Sequence, residues 1–478
     1  MIYSKSSRRE FLKTAAKLSI AGVATPFALN LAGIGSAAAQ SSTDYKTLVC
    51  LFLGGANDHN NTFIPLDQPS INIYNSVRPS LVRAPADLLG PNGASLELVP
   101  TIALQGASAG RRFTLPAELA PLKTIWDAGH LAVLANVGTL KQVTTLADFN
   151  IPTRLPAHLF SHNDQTSTWQ ASNPEGAKYG WAGLMGDLFS NSSVYSNTNP
   201  IFTCCSTASG GVLLSGRRTF GYQLGSDGSA SITALSGKLF SSSAATGLLR
   251  SLLLTGGTHP FSQDLADTTS RAIDANQTLS GILALAPDLP LPSNLVGSEL
   301  ADQLRLVARM IAVRERLGAR RQVFLVQLTG FDTHSDQLSR QPELHKELGD
   351  ALDYFYKALK NDGTLSAMNA LGTVTTFTAS EFGRTLTSNG DGCDHGWGSH
   401  HFIMGGAVKG KNFYGEFPQL LGGLTDIGNG RQIPTTSVDQ YSATLARWFG
   451  VTDGPDMRLV LPNSGSFDLM KTNLKFMT

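Results

Sequence analysis

Residues 47–61 read T-L-V-C-L-F-L-G-G-A-N-D-H-N-N, an almost wholly apolar run that ends abruptly in glycine and polar side chains. An apolar run such as 47–53 is typical of a strand that is buried on both faces of a parallel sheet. In such sheets, ligands bind beyond the carboxyl ends of the strands. The stretch therefore predicts a buried strand followed by a polar loop in which Asp58 is a candidate ligand. The simpler alternative is that the polar residues only form a turn.

Short apolar runs alternate with helical patterns along most of the remaining chain. Strand-like runs occupy 131–137, 323–328 and 373–378, and helical patterns occupy 116–129, 299–317, 344–359 and 437–449. This alternation predicts an α/β fold with a largely parallel sheet sandwiched by helices. Residues 190–298 differ because they are rich in Ser, Thr, Gly and Ala, and we interpret them as a cap or an irregular insertion.

The N-terminus has the pattern of an export signal. Residues 7–13 read S-R-R-E-F-L-K, an apolar run follows at about 18–34, and an A-x-A cleavage site ends at Ala39. This pattern predicts a twin-arginine signal peptide over 1–39, the twin-arginine translocase as a partner during export, and a periplasmic or secreted domain over 40–478. A membrane anchor is the alternative, but the run is short and is broken by glycine and proline.

Composition narrows the classes of function. The chain has 478 residues, of which 42% are hydrophobic and 15% are charged, so it can bury a sizeable core. Its net charge of +1 gives no reason to expect nucleic acid as a partner. Outside the signal there is no other long apolar run, so we expect no stable membrane insertion.

Four cysteines are present, and their spacing excludes the common cysteine motifs. Cys50, Cys204, Cys205 and Cys393 contain no C-x-x-C pair, so neither a zinc knuckle nor a thioredoxin-like site is indicated. Cys50 lies in the predicted buried strand. Whether Cys393 pairs with Cys204 or Cys205 is left open by the sequence.

Two further polar clusters follow strand-like runs. T-G-F-D-T-H at 329–334 contains Asp332 and His334, and A-S-E-F-G-R at 379–384 contains Glu381 and Arg384. Because the carboxyl ends of parallel strands share one edge of the sheet, we expect these clusters to meet the Asp58 loop in a single site. Simpler interpretations are a helix cap for Asp332, a surface position for His334 and an ion pair between Glu381 and Arg384.

Residues 379–404 hold three of the ten histidines of the chain. They read A-S-E-F-G-R-T-L-T-S-N-G-D-G-C-D-H-G-W-G-S-H-H-F-I-M. Carboxylate and imidazole groups together are ligands for a divalent metal such as zinc, and the adjacent Asp394 and His395 are the strongest candidates. His400 and His401 would point to opposite sides of an extended segment, so we expect one of them to be a ligand and favour His400.

A fourth cluster, H-L-F-S-H-N-D-Q at 158–165, places Ser161 beside His162. A serine hydroxyl near a dication ionises more easily and can act as a nucleophile. The alternative is an ordinary hydrogen-bonded loop.

Several of these segments together resemble the DUF1501 family of exported bacterial proteins. The segments are G-G-A-N-D-H-N-N-T at 54–62, G-F-D-T-H-S-D-Q at 330–337, S-E-F-G-R-T at 380–385 and D-H-G-W-G-S-H-H-F-I-M-G-G-A-V-K-G at 394–410. The resemblance covers nearly the whole mature chain and is weakest between about 190 and 298. The family in turn looks like a distant branch of the alkaline phosphatase and sulfatase superfamily.

That resemblance implies an alkaline-phosphatase-like sheet with one or two metal ions, zinc in the first place and calcium, magnesium or manganese as alternatives. The metal ligands it implies are Asp58, Asp332, His334, Asp394, His395 and His400. It also implies a nucleophile between the first Asp and the middle pair, an interval that contains Ser161. The formylglycine motif C-x-P-x-R is absent, so a formylglycine-dependent sulfatase is not expected.

The sequence therefore predicts an exported metal-dependent hydrolase of phosphate or sulfate esters, acting on a small-molecule or polymer-borne anionic ester. Ser161 or a metal-activated water would attack the ester. Arg384 would hold an anionic ester oxygen, and Glu381 would shuttle a proton or orient a ligand. The alternative is a non-catalytic periplasmic binding or assembly protein that keeps the hydrolase fold.

Overall fold

The structure is a computed structural model that describes part of the chain. The described residues are 44–478 except 193, 209, 226, 227, 229–232, 361 and 468–472. The predicted twin-arginine signal and its cleavage site near Ala39 lie outside the described residues.

Strands make up a central sheet and two small ribbons. The strands are β1 (Lys46–Gly54), β2 (Ile64–Pro65), β3 (Phe113–Thr114), β4 (Leu131–Gly138), β5 (Cys204–Ser206), β6 (Tyr222–Gln223), β7 (Arg321–Thr329), β8 (Val374–Ala379), β9 (Arg384–Ser388), β10 (Cys393–His395), β11 (Ser399–Met404), β12 (Phe413–Tyr414) and β13 (Thr436–Ser437). The ribbons pair β2 with β3 and β9 with β10, and the remaining strands form the sheet.

The central sheet has the order β12-β4-β11-β8-β1-β7-β5-β6, and β13 also pairs with β4. Only β11 runs antiparallel to its neighbours β4 and β8, and the other pairings within this sheet are parallel. The predicted α/β fold with a largely parallel sheet is therefore confirmed.

Helices cover both faces of this sheet. They are α1 (Gln68–Val77), α2 (Ala120–Asp127), α3 (His162–Ala171), α4 (Trp181–Ser190), α5 (Thr233–Ser236), α6 (Ser243–Leu254), α7 (Pro260–Leu283), α8 (Glu299–Ala312), α9 (Gln337–Leu359), α10 (Ala370–Thr373), α11 (Val438–Phe449) and α12 (Pro455–Val460). Among the described residues, no helix combines the length and the apolar character needed to cross a membrane.

Strand β1 shows how the two faces are divided. Val49 and Leu51 belong to a buried cluster that includes side chains of α2, α8 and α9. Leu48 and Cys50 belong to a second buried cluster that includes side chains of α4 and α11. Because alternate residues of a strand face opposite sides, this apolar run is buried on both faces, and each fully buried leucine contributes about 1.5–3 kcal/mol.

The region predicted as a cap or insertion takes part in the central fold. Its strand β5 pairs in parallel with β7 and with β6, which extends the sheet beyond β7. Its helix α7 buries Leu279 and Leu283 in the same cluster as α8 and α9. All four cysteines of the chain are buried free thiols, so Cys393 forms no disulfide with Cys204 or Cys205.

The carboxyl ends of β1, β7 and β8 lie side by side, as expected for adjacent parallel strands. Gly54 is in register with Thr329, and Phe52 is in register with Ala379. The loops that follow these strands pack closely at Gly55, which has a φ of 108°. A β-carbon at Gly55 would lie 2.4 Å from the backbone nitrogen of Asp332, so this approach requires glycine.

Candidate metal centre

Four metal-ligating side chains meet at the carboxyl edge of the sheet. Asp332 and His334 lie in the loop after β7, and His395 is the last residue of β10. His162 is the first residue of α3. These elements are far apart in sequence, and the fold brings them to the edge at which ligands of parallel sheets bind.

The ligand atoms of His162, Asp332 and His395 all lie within 4.8 Å of one another, close enough for the three side chains to hold one ion, and His334 lies next to two of them. His395 Nε2 lies 2.9 Å from His334 Nε2, 3.2 Å from His162 Nε2 and 3.3 Å from Asp332 Oδ1. Asp332 Oδ1 is 3.1 Å from His334 Nε2, and Asp332 Oδ2 is 3.6 Å from His162 Nε2. Two nitrogen ligands of tetrahedral zinc would lie roughly 3.3 Å apart, given bonds of about 2.0–2.1 Å.

The outer nitrogens of these rings determine which atoms face the centre. His162 Nδ1 lies 2.7 Å from Glu381 Oε1, and His395 Nδ1 lies 2.8 Å from the carbonyl oxygen of Phe160. A carboxylate and a carbonyl only accept hydrogen bonds, so each Nδ1 carries a proton, and in its neutral form each ring presents an Nε2 lone pair to the centre. Lone pairs that face each other at 3.2 Å repel unless a cation or a proton lies between them. Metal-ligating histidines are oriented in this way.

Glu381 is a buried support for His162. Its side chain is 3% exposed, and Oε1 also accepts a hydrogen bond of 2.9 Å from the backbone nitrogen of Gly55. The hydrogen bond from His162 to Glu381 raises the pKa of His162, against the opposing effect of partial burial. Glu381 therefore fixes the orientation of the His162 ring from the side away from the centre.

Arg384 binds Asp332. The arginine side chain is fully buried, and its Nη1 donates to Asp332 Oδ1 at 2.6 Å while Nη2 donates to the carbonyl oxygen of Cys393. Partial burial would raise the pKa of Asp332, but the hydrogen bond and charge of Arg384 lower it below its usual value. Asp332 is thus held ionised, the form that binds a metal.

His395 is held in the neutral form that a metal requires. Burial lowers its pKa, and the nearby charges of His162 and Arg384 act in the same direction. Its backbone is fixed as well, because Arg431 Nε donates to the carbonyl oxygen of His395 at 2.7 Å.

A cavity of about 540 Å³ opens beside the centre. His162, Asp332 and Glu381 form part of its wall, and neutral polar side chains, glycines and two apolar residues form the remainder. The volume lies in the range of about 300–1,000 Å³ that is usual for sites that bind small molecules. A small molecule in this cavity would contact the centre.

Residues 275–461 match the sequence model of the DUF1501 family, described as a protein of unknown function. This match supports the DUF1501 family. No protein with a curated description matches the sequence. Among solved structures, a chain titled "Crystal structure of Ps i-CgsB in complex with k-i-k-neocarrahexaose" is similar at 10% identity over 90% of this chain and 77% of that chain, with a TM-score of 0.31. A similarity at this level carries no argument about the fold or the function of this chain.

Asp58, expected as a ligand, lies outside the centre in a buried ion pair. Its Oδ2 accepts hydrogen bonds of 2.6 Å from both Arg78 Nη2 and Gln337 Nε2. Its Oδ1 accepts from the backbone nitrogen and the side chain of Asn60 at 3.0 and 3.1 Å. Burial alone would raise the pKa of Asp58, but Arg78 lowers it below its usual value. Both oxygens are occupied, so this carboxylate is not placed to bind a metal.

His400, the favoured histidine of its pair, also lies apart from the centre. Its Nδ1 accepts a hydrogen bond of 2.9 Å from the backbone nitrogen of Asn136, and its ring packs 4.6 Å from the ring of His59. Burial lowers the pKa of His400 well below its usual value. His401 is buried on the opposite side of β11, where burial lowers its pKa to about 3. The described contacts join neither histidine to the cluster.

Ser161 and Asp394 lie next to the centre in sequence. Ser161 Oγ donates to Asp164 Oδ2 at 2.8 Å, so a carboxylate is in place to accept its proton. Asp394 Oδ1 lies 3.5 Å from His334 Nδ1 and accepts a hydrogen bond of 2.9 Å from Asn389. Asp394 therefore contacts the outer nitrogen of His334, on the side away from the centre.

Sequence reasoning missed His162. The segment at 158–165 was singled out, but the serine was chosen as its functional residue. The available signal was a histidine at the first position of a helical pattern, flanked by polar residues. Helix α3 begins at His162, which directs this side chain toward the loops that carry Asp332 and His395.

Proposed function

We propose that this protein is an exported metal-dependent hydrolase of phosphate or sulfate esters whose centre binds one zinc ion through His162, Asp332 and His395, with His334 next to Asp332 and His395. One observation carries the proposal. The Nε2 atoms of His162 and His334 and an oxygen of Asp332 lie within 3.3 Å of His395 Nε2, and the outer Nδ1 atoms of His162 and His395 donate to fixed acceptors. Such acceptors are the outer partners typical of metal-ligating histidines.

The ligand types favour zinc over calcium or magnesium. Calcium and magnesium prefer oxygen ligands, whereas imidazole suits zinc and other transition metals. The described residues bring together one group of side chains that could hold an ion, and it contains His162, Asp332 and His395. This supports one ion rather than two. His334 and Asp332 are each 45% exposed, so the solvent side of the centre admits a substrate.

A bound dication would polarise the ester oxygen and activate a nucleophile at neutral pH. The chain's own groups hold this arrangement in place. Glu381 orients His162, and Arg384 orients Asp332 and keeps it ionised. Because Arg384 is fully buried against Asp332, we assign it to positioning Asp332 and not to holding the ester.

The wider placement follows from the resemblance. We infer a fold of the alkaline phosphatase and sulfatase superfamily. The largely parallel sheet, with aspartate and histidine side chains beyond the carboxyl ends of its strands, supports this placement. The S-R-R-E-F-L-K segment at 7–13 supports export.

Elemental analysis of protein purified without chelators tests the metal. We expect about one equivalent of zinc, lost in Asp332→Ala and in His395→Ala. His259→Ala is the matched control, because this exposed histidine precedes helix α7 as its N-cap and is not among the residues of the centre. Substoichiometric metal in the unaltered protein, or full metal in both ligand variants, would contradict the proposal.

Hydrolysis of 4-nitrophenyl phosphate and 4-nitrophenyl sulfate tests the reaction. Because a catalytic metal contributes several kcal/mol to the transition state, both ligand variants should lose at least about a thousandfold in kcat/KM. Ser161→Ala then separates two routes. Loss of activity with the zinc retained assigns the attack to Ser161, and retained activity assigns it to water. A protein that binds zinc but cleaves neither ester would instead support the non-catalytic alternative.

A further inference from the structure

We propose that the cavity beside the centre binds a neutral, hydroxyl-rich group, so that the substrates are phosphate or sulfate monoesters of a sugar or a similar polyol. This inference rests on the proposed function, because it names the alcohol part of the ester. It is carried by the side chains of the cavity wall and by their unused hydrogen-bonding capacity.

Four neutral polar side chains line the cavity: Thr166, Gln170, Gln327 and Thr329. Gln170 is only 4% exposed, and its Oε1 accepts from the backbone nitrogen of Leu213 at 3.1 Å. Within the described part of the chain, the amide nitrogen of Gln170, the side-chain amide of Gln327 and the two threonine hydroxyls make no hydrogen bond to protein. The Gln170 amide nitrogen is not fully enclosed by protein, so it can donate a hydrogen bond to a ligand or to water in the cavity.

The charges on the wall oppose a polyanionic alcohol group. The ionisable residues that line the cavity are His162, Asp332 and Glu381, and no Lys or Arg lines it among the described residues. Arg384, which could have bound an anion, is buried against Asp332. Only the ester group itself, beside the metal, can therefore be anionic without repulsion from two carboxylates.

Two apolar residues complete the wall. Phe52 and Leu325 are 4% and 3% exposed, and both belong to the central sheet. An apolar surface beside neutral donors and acceptors suits a sugar ring, which presents C–H groups on its faces and hydroxyls on its rim. A plain alkyl or aryl group would leave the amides and hydroxyls unpaired.

Gly54 lies next to the Gln327 side chain in the wall of the cavity. A β-carbon at Gly54 would lie 2.9 Å from Gln327 Nε2, closer than such contacts normally come. Glycine at this position therefore leaves room for the Gln327 amide beside the cavity.

Matched esters test the inference directly. Glucose 6-phosphate and hexyl phosphate have the same reacting group and the same number of carbons but differ in hydroxyls, and glucose 6-sulfate and hexyl sulfate form a second pair. In the zinc-loaded protein we expect kcat/KM to favour the glucose ester by at least about tenfold, the effect of one or two neutral hydrogen bonds. Equal rates, or a preference for the hexyl esters, would overturn the inference and leave the hydrolase proposal intact.

Variants locate the effect. Gln327→Leu and the isosteric Thr329→Val should each raise KM for the glucose ester, by about fivefold to tenfold, and should leave hexyl phosphate unchanged. Gln68→Leu is the matched control, because this exposed glutamine lies on α1. Parallel losses on both esters would assign these side chains to the fold and contradict the inference.

If the protein cleaves none of these esters, only the hydrolase proposal is refuted. The inference about the cavity is then tested by measuring binding. Calorimetry of the zinc-loaded protein with glucose 6-phosphate and with hexyl phosphate then measures the same difference. Preferential binding of glucose 6-phosphate supports a hydroxyl-binding cavity without turnover. Equal affinity, or no binding of either ester, overturns the inference.

Discussion

Asp58 and Asp332 follow the adjacent parallel strands β1 and β7, yet they have different surroundings. Asp58 is fully buried, and Arg78, Gln337 and Asn60 occupy both of its oxygens. The side chain of Asp332 is 45% exposed, with three imidazole nitrogens within 3.6 Å and one arginine behind it. Position in the sheet therefore does not decide which carboxylate can bind a metal.

Asp58 and Asp332 differ in the groups that stabilise the negative charge of the carboxylate. A carboxylate that is removed from water needs a cation and a full set of donors, and Arg78 and its neighbours supply both for Asp58. A carboxylate at the sheet edge keeps part of its solvent and can exchange it for a metal ion. The three predictions below test this distinction.

Arg78→Met should have the largest effect. Removal of the guanidinium leaves the buried Asp58 without a counter-charge, which costs about 3–5 kcal/mol of unfolding free energy. Zinc bound per folded molecule should stay unchanged, because Asp58 is not a ligand. Urea denaturation and elemental analysis of the folded fraction measure the two quantities.

Two further variants keep this test decisive. Asp58→Asn combined with Arg78→Met removes both charges and should recover part of the lost stability. Asp332→Ala leaves the buried Arg384 without its carboxylate and should also destabilise the metal-free protein, but unlike Arg78→Met it should remove the bound zinc. If Arg78→Met folds normally but loses zinc, the separation between the two carboxylates is wrong.

A third carboxylate, Asp439 of α11, extends the comparison. It is 3% exposed and accepts a hydrogen bond of 2.9 Å from Ser172 Oγ. In the described part of the chain it forms no ion pair. Burial raises the pKa of Asp439 to about 7 from a reference value of 3.8.

The contribution of Asp439 to the stability of the protein should therefore fall as pH rises from about 4 to about 7. In this window the unfolded chain releases the proton of Asp439 and the folded protein retains it, so the folded state binds more protons. Above this window the cost is constant and on the order of 4 kcal/mol. Asp439→Asn should match the unaltered protein near pH 4 and exceed its stability near pH 8. A constant difference between the two proteins across this pH range would contradict the assigned shift.

Much of the fold could be predicted from the sequence because apolar patterning determines burial. The run at 47–53 became β1, and the runs at 323–328 and 373–378 became β7 and β8, each within about two residues. Helix α8 ended at Ala312 instead of 317, because turns follow Val313 and Gly318 adopts a φ of 64°. The region 190–298 could not be assigned because β5 and β6 are too short to have a pattern of their own.

The site was predictable only in part. The sequence shows which side chains can bind a metal or form an ion pair, but it does not show which side chains lie next to each other in the fold. Asp332, His334 and His395 are residue types that bind metals, and we expected them to lie close together from their positions relative to the strands. Their side chains are in contact in the structure. Nothing in the residues around Asp58 indicated that Arg78, twenty positions later, would neutralise it. His162 was hidden for the same reason, since its role depends on Glu381 and His395, more than two hundred residues away.

Glu381→Gln should have the smallest of the three effects and concerns the metal side of the comparison. The amide retains the size of Glu381 but lacks its charge, and it can present a donor to His162 Nδ1, which favours the tautomer with a proton on Nε2. Outer partners of metal ligands contribute about 10- to 100-fold to metal affinity, so zinc binding should weaken by that factor. Competition with a chromophoric chelator measures the affinity, and thermal unfolding of metal-free protein shows whether the fold is intact.

Glu343→Gln, on the exposed side of α9, should change neither the zinc affinity nor the thermal unfolding. An unchanged zinc affinity in Glu381→Gln would mean that the carboxylate does not orient His162 for a metal.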